Sequence, residues 1–67
     1  GFFSFAEVWT MAARDLVQTG RAELAISRLR AGLTVRQLLQ QFYGIVSGPS
    51  WDDAAERRAF RRTLRRV

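Results

Sequence analysis

The chain is predicted to fold as an all-α domain, a compact bundle of about four short helices with a helix-turn-helix-like arrangement. Three observations predict it. Apolar residues recur at helical spacing in four successive stretches. Hydroxyl residues with an acceptor three positions on stand at the starts of those stretches, and glycines stand at the ends. No stretch shows the strict alternation of a half-buried strand, Gly44-Ile45-Val46-Ser47 being the nearest to one.

Helix 1 is expected over about residues 4–19, with Ser4 as N-cap, Glu7 as its partner and Phe3 against Val8 as a hydrophobic staple. Phe5, Val8, Trp9, Ala12 and Leu16 form its apolar face, with Met11 at the edge, and Gly20 ends it. Helix 2, about 21–31, offers Ala22, Ala25, Ile26 and Leu29 and stops at Gly32. Helix 3, about 34–43, opens with Thr34 and Gln37, carries the staple Leu33–Leu38, presents Val35, Leu38, Leu39 and Phe42, and stops at Gly44. Helix 4, about 50–67, opens with Ser50 and Asp53 and turns Phe60, Leu64 and Val67 inward. Between helices 3 and 4 lies the longest irregular stretch, residues 44–50, with Gly48 and Pro49 as its punctuation. Trp51 and Tyr43 border that loop. The glycines recur at intervals of twelve, but the residues between them do not match, so no repeat is inferred.

At 67 residues the chain is one domain or a piece of one, and a chain this short buries only about 60 % of its unfolded surface. Self-association or a further domain of a parent chain is therefore expected to support it. Residues 1–19 read as an accessory N-terminal helix and 21–67 as the helix-turn-helix-like core. There is no cysteine and no histidine, which removes thiolate ligands, the commonest metal ligand and the commonest general base. An enzyme is not expected, nor is any cofactor or metal. No apolar run approaches the roughly 20 residues that span a bilayer, and no signal-peptide pattern is present, which fits a cytoplasmic protein.

The net charge is +5, and all eleven basic residues are arginine. Codon bias accounts for the absence of lysine more readily than selection for bidentate contacts does. It does not account for the clustering: Arg57, Arg58, Arg61, Arg62, Arg65 and Arg66 all fall in the last eleven positions. Paired and spaced by four, they form two adjacent rows covering roughly half of a helix with 3.6 residues per turn. Dipole complementation needs one or two cations near a helix end, not six. Arginines so arranged suit phosphates, and nucleic acid is the first expectation. Six neutralised phosphates would give a log K against log salt slope of about −5. A second polar face lies on helix 3, where Arg36, Gln37, Gln40 and Gln41 stand opposite the apolar residues. Gln pairs bidentately with adenine and Arg with guanine, so this face suits base reading.

The stretches Leu29-Arg30-Ala31-Gly32-Leu33-Thr34-Val35-Arg36-Gln37-Leu38-Leu39, Phe42-Tyr43-Gly44-Ile45-Val46 and Phe60-Arg61-Arg62-Thr63-Leu64-Arg65-Arg66-Val67 resemble bacterial helix-turn-helix and winged-helix transcription regulators. The likeness is greatest to the DNA-binding segments of WYL-domain regulators and of regulators from integrative conjugative elements. It covers roughly residues 24–67 and leaves helix 1 unaccounted for. The resemblance implies duplex DNA as partner and an Arg-rich recognition helix at the C-terminus. The sequence departs from the pattern in the longer loop, in Gln40 where a small residue is usual, and in the acidic Trp51-Asp52-Asp53. Recognition helices enter a groove by their N-terminal residues, where those carboxylates would meet phosphate. Two registers stay open: helix 4 reads the bases, or helix 3 reads them while helix 4 clamps the backbone. An interaction module that has kept the fold but not DNA is the alternative, motivated by the acidic start of helix 4 and by Phe2, Phe3 and Phe5.

Overall fold

Four helices form in the order anticipated. A computed structural model describes residues 4–46 and 54–65; in these the helices are α1 (Phe5–Gln18), α2 (Ala22–Arg30), α3 (Val35–Tyr43) and α4 (Ala54–Arg65). There is no strand among the described residues, and the segment 44–46 is irregular. The radius of gyration, 10.9 Å, matches the value of about 11 Å for a close-packed chain of this length, so the helices form a compact bundle.

The punctuation works as its chemistry dictates. Ser4 is extended and its Oγ accepts the Glu7 N–H at 3.2 Å, satisfying one orphan donor of α1. Thr34 builds a full capping box: its Oγ1 accepts the Gln37 N–H at 3.0 Å, while its own N–H donates to Gln37 Oε1 at 2.9 Å. Helix α2 has no such cap, because Arg21 at that position carries only donors and has no side-chain acceptor for a backbone N–H. Gly20, Gly32 and Gly44 all have positive φ. The chain reverses after each, with Arg21 N–H bonded back to the Leu16 carbonyl and Leu33 N–H to that of Arg28. The expected caps at Ser50 and Asp53, the staple partner Phe3, and Trp51 and Val67 lie outside the described residues.

One core holds the bundle. Ala12, Ala13, Leu16, Ala25, Ile26, Leu29, Val35, Leu38, Leu39, Phe60 and Leu64 are buried, and Phe5, Val8, Trp9, Ala22, Phe42 and Tyr43 pack around them. The apolar faces read from periodicity are therefore the packed ones, with Met11 exposed at the edge as expected. Ala13 is the addition: it is fully buried on α1, yet an alanine carries little hydrophobic signal of its own. Helix α4 packs mainly on α1, where the Phe60 ring meets Trp9 edge-on at 5.9 Å. The α2–α3 unit is two nine-residue helices in contact, joined by residues 31–34.

A Cβ added at Gly20 or Gly44 meets nothing within 4 Å, so an alanine there is opposed by backbone conformation alone. Gly44→Ala is expected to lower stability by about 1 kcal/mol, and Gly44→Asn by clearly less, since Asn tolerates the left-handed region. Urea unfolding followed by circular dichroism measures both; equal losses would remove the conformational explanation.

Candidate nucleic-acid interface

Helix α4 presents two opposed faces. Phe60 and Leu64 are fully buried on one side. On the other, Arg58, Arg61, Arg62 and Arg65 follow the i, i+3, i+4, i+7 pattern, which confines them to a stripe of roughly 100°. These four line an open hollow of about 590 Å³. Arg58, Arg62 and Arg65 are exposed and Arg61 is half-buried. Among the described residues none of the four pairs with a carboxylate. Arg61 Nε is buried and has no acceptor among the described residues. Arg57 is half-buried, has a partner and does not line this hollow, and Arg66 lies outside the described residues. Among the described residues, four of the clustered arginines share one ridge. From Arg58 to Arg65 the ridge rises about 10 Å, the axial span of about three phosphates on one DNA strand.

The polar face of α3 is a different matter. Gln37 Oε1 is held by the Thr34 N–H of the capping box. Gln41 Oε1 accepts from the Arg28 guanidinium at 3.3 Å, tying α3 to α2. The Arg36 guanidinium lies 3.8 Å from the centre of the Phe5 ring, a close cation–π contact that joins α3 to the start of α1. Gln40 is exposed. Three of the four residues expected to read bases therefore have internal partners, which polarity on a helix face does not reveal in advance.

Two further features were not anticipated. Arg14 is exposed on α1 and shares a groove of about 290 Å³ with Thr10, Val17, Gln18 and Thr63 of α4, so a fifth cation borders the α1–α4 seam. At the opposite flank of α1, Arg21, Asp15 and Tyr43 form a joint. The Tyr43 hydroxyl donates to Asp15 Oδ2 at 2.5 Å and lies 3.3 Å from the Ala12 carbonyl. The Arg21 guanidinium reaches the same carboxylate oxygen at 3.2 Å and stacks over Phe42 and Tyr43 at 5.4 and 5.6 Å. Its Nε–H also donates to Thr19 Oγ1 at 3.1 Å. Partners six and 28 residues apart leave no local pattern to read. No group of three or more Asp or Glu that could hold a metal ion occurs among the described residues. No helix there is long and apolar enough to cross a membrane.

No protein-family model, curated protein or solved structure matches the chain.

Burial, then the hydrogen bond to Asp15 and its negative charge, push the Tyr43 phenol from its ordinary 10 up to about 12, with Arg21 opposing. A raised folded-state value means that the stabilisation is fully present below pH 10 and is lost as pH rises through about 12. Tyr43→Phe should flatten that alkaline decline and cost about 1.5–3 kcal/mol at neutral pH, one hydrogen bond to a charged acceptor. Urea titrations across the pH range check both. Tyr43 is the chain's only tyrosine, so phenolate absorbance reports its ionisation directly.

Proposed function

We propose that the chain is a DNA-binding domain of a bacterial transcription regulator, acting in the cytoplasm and gripping the phosphate backbone through α4. The ridge of Arg58, Arg61, Arg62 and Arg65 carries this reading. Four aligned cations that pair with no carboxylate among the described residues repel one another, and a polyanion is the partner that relieves the repulsion. The Arg61 Nε–H without an acceptor supports it further, since a buried donor left unpaired marks a place where an ion or water belongs. The α2–turn–α3 unit, with nine-residue helices and a four-residue connection, has the proportions of a helix-turn-helix, which fits the regulator reading. A homodimer or a further domain of a parent chain would add to the marginal affinity of a single small ridge.

A second reading rests on another surface. Val8, Met11, Ala12, Asp15, Tyr43 and Ile45 line an apolar hollow of about 280 Å³, with Met11 58 % exposed. Such a hollow suits a helical protein-interaction module.

Three to four phosphates contacted by the ridge give an expected log K against log salt slope of about −3 on duplex DNA. Arg58→Ala with Arg62→Ala in one chain should reduce it to about −1 to −2. Fluorescence anisotropy across a salt series measures both slopes. The absence of salt-dependent affinity for any duplex would leave the interaction-module reading in its place.

A further inference from the structure

We infer that the duplex is held by its backbone alone, without preference for base sequence, α3 serving as scaffold rather than as reader. The inference rests on the proposed DNA binding and states what kind of DNA binder this is. Bidentate recognition of adenine by Gln needs Oε1 to accept from N6 while Nε2 donates to N7, with the amide plane free to align with the base. At Gln37 that oxygen is taken by the Thr34 N–H at 2.9 Å, a bond that also starts the helix. At Gln41 it accepts from Arg28 at 3.3 Å on the exposed side of the α2–α3 contact. Bidentate recognition of guanine by Arg needs the edge of a guanidinium extended into the groove. Arg36 instead lies 3.8 Å from the Phe5 ring centre and is half-buried. Releasing any of the three costs an internal contact; Gln37, Gln40 and Gln41 are all exposed, and Gln40 is the one of them with no internal side-chain hydrogen bond among the described residues.

The ridge on α4 adds no base reader of its own. Its four arginines spread along about 10 Å of one stripe, which matches the spacing of successive phosphates rather than the edges of one base step. Single strands are held largely by stacking on aromatic rings. The one aromatic among the described residues of α4 is Phe60, which is fully buried. Duplex is thus favoured over single strand, and backbone over bases.

The test is a selection from a randomised duplex pool, followed by anisotropy titrations of several unrelated duplexes of equal length at one salt concentration. The expected result is no enriched motif, affinities within about fivefold of one another, and weaker binding of the matched single strands. A protein that reads bases loses about 1–3 kcal/mol per mismatched pair and would exceed that spread. Arg62→Ala should weaken every duplex alike and reduce the salt slope by about 0.9, while Gln40→Ala changes nothing. An enriched motif whose preference disappears in Gln40→Ala overturns the inference and leaves DNA binding standing. No binding to any duplex at low salt overturns the DNA reading, and the inference with it.

Discussion

Everything that α4 presents outward depends on the burial of Phe60 and Leu64. The five arginines from Arg57 to Arg65 form five like-charge pairs at i,i+3 or i,i+4 spacing, a cost of roughly 1–2 kcal/mol in an isolated helix. Burying a phenylalanine and a leucine contributes about 3–6 kcal/mol. Both residues are essentially inaccessible, Phe60 against the edge of Trp9, so the apolar side wins and the helix is held. The margin is small, which makes those two positions decisive for the ridge although neither faces it. A cavity at either would release the arginines from their alignment before it touched their charge.

The remaining three helices are joined by polar contacts of unusual economy. Arg21 stands where α2 would take a capping residue and instead links the α1–α2 turn to the end of α3 through Asp15, Phe42 and Tyr43. Arg36 joins the start of α3 to the start of α1 over Phe5. Gln41 joins α3 to α2 through Arg28. Helix α3 is thereby tied at both ends to its neighbours, while α4 is held chiefly by apolar contact. The division matches the placement of the cations: Arg58, Arg61, Arg62 and Arg65 of α4 pair with no carboxylate among the described residues, while Arg21, Arg28 and Arg36 around α3 hold internal contacts.

The helices and their ends were legible in the sequence because they are local. Ser4, Thr34 and the three glycines act on neighbours three to five residues away, and the structure shows each in that role. The apolar faces were legible for the same reason, Ala13 excepted, since its burial comes from helix approach rather than hydrophobicity. The sites were less legible. Periodicity placed the arginines of α4 on one side, but not the separation of Arg57 from the four that share a hollow. On α3 it placed Arg36, Gln37 and Gln41 outward, correct for their Cα positions but silent about side chains long enough to reach Phe5, Thr34 and Arg28. The Asp15–Tyr43 bond spans 28 residues and had no signal at all.

The stacked arginines change the meaning of a composition without lysine. Two populations share one residue type: Arg21 and Arg36 lie over aromatic rings, while Arg58, Arg62 and Arg65 stand in solvent. A guanidinium is planar and weakly hydrated, which an ammonium is not, so lysine preserves the charge of either group but the packing of only one. On α4 the exchange keeps the field that a phosphate meets. At Arg21 and Arg36 it removes the flat surface that joins the helices. Uniform replacement of arginine by lysine, neutral in every count of charge, therefore strikes the architecture first and the outward-facing cations last.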